Sequence, residues 1–233
     1  MSRRLIPRPR SDEQRGFTLI ELAVVVVLIG IFAMMAMPQI ARRLKDYRTH
    51  ETAQRIAMLY QQARVRAIGQ GGAILVRYTQ GTGSPPQGSF EIREALVGTG
   101  DVKNDCKSVP SASCTQTDWT EGAASLQSRS IKTMDLALQP RISMITGSAG
   151  VFATLIPDKV SAASTAAMDV CFTPLGRTYV RYGTTDPWVP LAGVPQITVY
   201  LGMSAVTNPT ASDAVGLIRR VLILPTGSAR LQL

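Results

Sequence analysis

The chain has 233 residues, of which 45% are hydrophobic and 18% charged, and a formal net charge of +9. That balance excludes a disordered chain and suits one sizeable globular region behind a short N-terminal element. A single histidine, His50, and the lack of any Cys-x-x-Cys or Cys/His ligand spacing argue against a Ser-His-Asp site and against a zinc centre.

In chain order, residues 1–16 carry Arg3, Arg4, Arg8, Arg10 and Arg15 against Asp12 and Glu13, so part of the positive charge sits in a basic leader. From Phe17 to Met37 the sequence is almost unbroken apolar, and a helix of that length covers roughly 30 Å, the thickness of a bilayer's hydrocarbon. Glu21 interrupts it. A carboxylate there costs on the order of a few kcal/mol unless it lies near an interface or finds a partner. Arg42, Arg43, Lys45 and Arg48 follow the apolar run with Asp46 among them, so basic residues flank it on both sides and nearly balance the positive-inside rule.

The run Gly16-Phe17-Thr18-Leu19-Ile20-Glu21-Leu22 after a basic leader resembles the N-terminus of type IV pilins and type II secretion pseudopilins. The resemblance implies cleavage between Gly16 and Phe17 by a prepilin peptidase and N-methylation of the new terminus. It implies a cytoplasmic leader, an inner-membrane helix and a periplasmic head. It also implies that Glu21 pairs with the free amine of Phe17, in its own or a neighbouring subunit, as the helix leaves lipid for a filament. Such a buried pair fixes register more than it adds stability.

Beyond Pro38 the pattern stays helical. Ala53, Ile56, Ala57, Tyr60, Ala63 and Ala67 recur at three- and four-residue intervals, and Gly69, Gly71 and Gly72 mark the end. The helix from Phe17 to about Ile68 would be about 78 Å long, and Pro38, which lacks a backbone donor, is expected to kink or loosen it. The greasy half has no partner within the subunit and must be buried in lipid or in other copies; with the pairing that the resemblance implies, Phe17, Glu21 and Pro38 are the residues expected to act in assembly.

The remainder reads as short strands separated by turns: 73–78, 90–96, 130–138, 141–145, 151–156, 168–172, 178–182, 197–201, 219–224 and 229–233. One N-terminal helix followed by such strands predicts an α+β fold with mainly antiparallel pairing. The expected organisation is a leader over 1–16, a membrane and filament-core helix over 17–38, an amphipathic helix over 39–72 and a β-rich head over 73–233. A polar stretch at about 98–128 reads as a long surface excursion. Cys106 and Cys114 within it could close a short loop by a disulfide, while Cys171, in the run Val170-Cys171-Phe172, reads as a buried free thiol.

Ala63-Arg64-Val65-Arg66-Ala67-Ile68, the turn Phe172-Thr173-Pro174-Leu175-Gly176-Arg177 and the final Pro225-Thr226-Gly227 resemble the GspH/FimT group of minor pilins and pseudopilins. The resemblance implies a structural subunit at or near the tip that primes or caps a type IV pilus, with other minor pilins and the major pilin as partners. Its alternative is a minor pseudopilin of a type II secretion system. Two departures stand out: the longer excursion at 98–128, and Ser228 where an arginine more often follows the glycine.

No enzyme, cofactor or metal is expected. Gly-x-Ser-x-Gly, P-loop and Rossmann spacings are missing, and Asp101, Asp105 and Glu121 lack the ligand spacing of an EF-hand. Arg177, Arg181, Arg219, Arg220 and Arg230 lie near the two glycine-containing turns. Clustered arginines can hold phosphates, and some FimT-like relatives are thought to bind DNA for uptake, but arginines solvating the outer face of a half-buried sheet are the favoured reading.

Overall fold

The computed structural model describes residues 18–81, 87–97, 109–119, 128–138, 149–157, 166–183, 186–203, 214 and 216–232. The chain divides into two compact units, Met1–Ala41 and Arg42–Leu233. The helix α1, Leu19–Gln70, is assigned as one element through Pro38. It ends at Gly71, whose φ of 69° is the left-handed conformation that glycine adopts without a Cβ penalty.

In the first unit every side chain from Leu19 to Met37 is exposed, and this stretch is long and apolar enough to cross a membrane. The second unit carries eleven strands among the described residues. They are β1 (Ile74–Thr79), β2 (Ser89–Val97), β3 (Val109–Pro110), β4 (Ser128–Asp135), β5 (Ala149–Ile156), β6 (Ala167–Phe172), β7 (Thr178–Tyr182), β8 (Val189–Pro190), β9 (Gln196–Met203), β10 (Arg219–Ile223) and β11 (Ala229–Gln232). One sheet runs β3-β2-β1-β6-β7-β8 with β4 on the far side of β2, and the other runs β11-β10-β9-β5. Every pairing described is antiparallel, so the fold is α+β.

Alternation along the strands explains the layers. Ile74, Val76 and Tyr78 of β1, Met168, Val170 and Phe172 of β6, and Val180 and Tyr182 of β7 face one core. Val151, Ala153 and Leu155 of β5, Ile197, Val199 and Leu201 of β9, and Val221 and Ile223 of β10 face it from the second sheet. Between them lies the second half of α1, through Ala53, Ile56, Tyr60, Ala63 and Ala67; the alanines let its backbone approach closely. Tyr78 Oη donates to the Ala153 carbonyl at 2.6 Å, and the Gln87 amide donates to the Val151 carbonyl at 3.4 Å. These two side chains cover the outer edge of β5 and link it to the first sheet.

The outer face of the first sheet departs from expectation. Residues 109–119 do not run through solvent: β3 adds to β2, and Cys114 and Trp119 pack with Leu75, Ala95 and Cys171 as a second, smaller core. The disulfide is Cys114–Cys171, which corrects both the Cys106–Cys114 pairing and the reading of Cys171 as a free thiol. The physical reason is parity along β6. Val170 and Phe172 face α1, so Cys171 must face the other way, where the returning segment brings Cys114. Cys106, residues 98–108 and 120–127, and the strand expected at 141–145 lie outside the described residues.

Candidate functional site

The N-terminal element is built from its first turn. Thr18 stands just before α1; its Oγ1 accepts from Glu21 N at 3.3 Å, and its carbonyl accepts from Leu22 N at 3.2 Å. Thr18-x-x-Glu21 is thus a capping-box spacing, with the acid in the first turn, where the exposed amides and the helix dipole favour negative charge. That gives Glu21 a role in starting the helix besides any role in assembly. From Leu22 to Met37 nothing but apolar side chains and Gly30 follows. Gly16 and Phe17, expected to flank the cleavage point, lie outside the described residues, and so does the side chain of Pro38.

On the head, the two glycine-containing turns prove to be the same device. Thr173 N donates to the Arg177 carbonyl at 2.9 Å and Gly176 N to the Thr173 carbonyl at 2.9 Å. Leu224 N donates to the Ser228 carbonyl at 2.9 Å and Gly227 N to the Leu224 carbonyl at 2.7 Å, the same pattern. Each has proline after the first residue and a glycine at positive φ, 79° for Gly176 and 77° for Gly227. The turns also touch. A Cβ on Gly227 would stand 2.7 Å from Thr178 Oγ1 and 2.9 Å from Phe172 Cε1, so only glycine allows this approach between the two sheets.

The arginines near these turns do not all share one surface. Arg177 is exposed and lines a cleft of about 300 Å³ with Tyr179, Leu175 and residues 112–115, a lining without carboxylate or imidazole. Arg220 and Arg230 are exposed on the outward face of β10 and β11. Arg219 has the parity of the buried Val221 and Ile223, and its guanidinium donates to the Ile218 carbonyl at 3.4 Å. Arg181 is engaged elsewhere, in a network that the strand pattern did not reveal.

That network crosses the outer face of the first sheet. Register places Glu91, Arg77, Asp169 and Arg181 side by side on β2, β1, β6 and β7, an alternation of charge. Asp169 is fully buried. Arg77 meets its two oxygens at 2.8 and 2.9 Å, and Arg181 meets Oδ2 through Nε at 2.8 Å and through a terminal nitrogen at 2.7 Å. Arg181 in turn lies 4.6 Å from the centre of the Trp188 ring, and Trp119 Nε1 donates to the Cys114 carbonyl at 2.9 Å. Two guanidiniums supply the hydrogen bonds that a buried carboxylate requires, so the lid of residues 109–119 rests on a charge-paired floor. The one signal in the sequence was a charged residue inside each apolar strand; the pairing itself needed register.

Two buried tyrosines complete the electrostatics. Burial pushes the Tyr60 hydroxyl well above the usual tyrosine range, with the Asp169 and Tyr78 charges adding to it. Burial raises Tyr78 likewise. The Tyr60 hydroxyl has no hydrogen-bond partner among the described residues.

The prokaryotic N-terminal methylation motif matches residues 12–37, which covers the leader's end, Glu21 and the apolar stretch, and leaves the head unmatched. This motif is the leader of type IV pilin-type proteins, and together with the α+β head behind it the match supports a type IV pilin-like structural protein. Such a leader implies processing by a prepilin peptidase and assembly with other pilins, and the one apolar helix long enough to cross a membrane among the described residues supports an inner-membrane anchor. No match was found among curated proteins or among solved structures.

Proposed function

We propose that the protein is a minor pilin of the GspH/FimT type, cut between Gly16 and Phe17, N-methylated, and used at or near the tip to prime or cap a type IV pilus. The observation that carries this is an apolar helix exposed from Leu19 to Met37, opened by Thr18 as its cap and followed by a head with its own core. Such a helix exchanges lipid for other helices, gaining packing more than hydrophobic free energy. Glu21 pairs with the amine of Phe17 and sets the register of that exchange. The twin turns and their contact through Gly227 support the GspH/FimT assignment, because they are the segments that carry it. The Cys114–Cys171 disulfide supports a periplasmic head, since such bonds persist in oxidising compartments.

The test is affinity purification of the processed protein from detergent-solubilised membranes. Co-purifying pilus minor subunits support this reading, and secretion pseudopilins in their place would move the protein to a type II secretion system. Gly16→Ala is expected to leave an uncut, unshifted band. Glu21→Ala is expected to be cut yet excluded from filaments, and normal assembly of that variant would refute the pairing. DNA uptake is the weaker alternative, because Arg219 does not share the outward face of Arg220 and Arg230. Salt-sensitive DNA binding that Arg177→Ala, Arg220→Ala and Arg230→Ala abolish would restore it.

A further inference from the structure

The basic residues after the apolar stretch remain without a role in anchoring or assembly. In a helix of 3.6 residues per turn, Lys45 and Arg48, three apart, share one side of the cylinder and Arg43 falls on the opposite side, so the three form a collar and not a single face. The acids between and beside them are engaged. Asp46 Oδ1 accepts from Leu217 N at 3.0 Å, and Glu51 holds Arg55 at 2.6 Å and lies 3.8 Å from Arg48.

The Asp46 contact is built, not incidental. Gly216 has a φ of 101°, and a Cβ on it would stand 2.8 Å from Asp46 Oδ1, so this approach of the strand-leading segment to the helix depends on glycine. It holds Leu217, 51% exposed, against the helix at Asp46, whose chain neighbour Tyr47 is 63% exposed, and Arg220 follows with its side chain exposed. Apolar and aromatic side chains interleaved with cations are the composition of a membrane interface.

We propose that this collar, Arg43, Lys45 and Arg48 with Tyr47 and Leu217, docks on the anionic phospholipid headgroups of the leaflet in which the apolar stretch ends. Chain connectivity argues for that occupant over any soluble one. Even a fully extended chain could carry Arg43 no more than about 20 Å from Met37, so headgroups are the surface the collar meets first. The contact is electrostatic in the main, and each cation near an anionic surface raises the docked population about fivefold. It must be given up when the subunit enters a filament, so the membrane's charge sets how readily the subunit leaves.

The test uses the full chain with Leu217→Trp, reconstituted in vesicles of phosphatidylcholine alone or with about a third phosphatidylglycerol, part of the lipid being brominated in its acyl chains. The unsubstituted chain supplies the background of Trp119 and Trp188. Extra quenching is expected only in anionic vesicles, falling severalfold in about 0.5 M salt, where screening shortens to about 4 Å. It should be lost in Arg43→Gln/Lys45→Gln/Arg48→Gln and reduced in Asp46→Ala, which frees Leu217 but keeps the cations. Near-ultraviolet circular dichroism confirms that each variant keeps its head. Equal quenching in neutral and anionic vesicles, or quenching that survives the triple substitution, overturns the proposal.

Discussion

The two halves of α1 use the same residue types to opposite ends. Leu19 to Met37 presents leucine, isoleucine, valine and methionine to the outside, with Leu19 87% and Met34 80% exposed; Ala53 to Ala67 turns Ile56, Tyr60 and Ala63 wholly inward against two sheets. The difference is not hydrophobicity but pattern. An all-round apolar surface cannot be covered by a head lying on one side of it, whereas a stripe can. An element of the first kind must find lipid or other chains, and one of the second kind is finished within its own subunit.

Several substitutions would break or sharpen that contrast, with the full chain unfolded in detergent and followed by the fluorescence of Trp119 and Trp188. The largest loss is expected away from the helix, at Asp169→Ala, which strands two guanidiniums beneath the lid and should destabilise the head by about 3–5 kcal/mol. Next comes the direct comparison. Ile56→Ala should cost about 2–5 kcal/mol, while Ile31→Ala, on the exposed apolar stretch, should leave the head's unfolding unchanged. A comparable loss at Ile31 would mean that the head depends on the apolar half after all.

Smaller effects separate the two buried phenols. Tyr78→Phe leaves the Ala153 carbonyl without its 2.6 Å donor and should cost about 1–3 kcal/mol. Tyr60→Phe removes a hydroxyl with no partner among the described residues and should be neutral or stabilising by about 1 kcal/mol or less. Both phenols are raised above their ordinary value of 10.0, so above about pH 10 the unfolded chain has released protons that the folded head still holds. Stability must therefore fall as pH rises through that range, and Tyr60→Phe should weaken the fall; a flat alkaline titration would contradict it.

Patterns confined to one element were legible in advance. The apolar stretch, the stripe from Ala53 to Ala67, the glycine stop, most strands and the shared Pro-x-Gly turns all follow from local periodicity and turn chemistry. What depends on register was not. Cys171 sits between two core-facing residues in a run too apolar to show alternation, so nothing local announced that it faced the other way. The partners of Asp169 come from β1 and β7, and β8, two residues long, is too short for any periodicity. The capping of the Glu21 amide by Thr18 was spelled out by the Thr18-x-x-Glu21 spacing, a signal that the acid's position in a greasy run overshadowed.

The sulfur bridge joins residues 57 apart in sequence, and one of its ends stands within β6, one residue from that strand's end, where it is flanked by paired strands on both sides. Cys171 can be presented to Cys114 only after β6 has zipped to β1 in the right frame, because a slip of one position would turn its thiol toward α1. Closure of the bond is therefore a certificate of correct assembly of that sheet, and trapping free thiols during biogenesis would time the head's maturation.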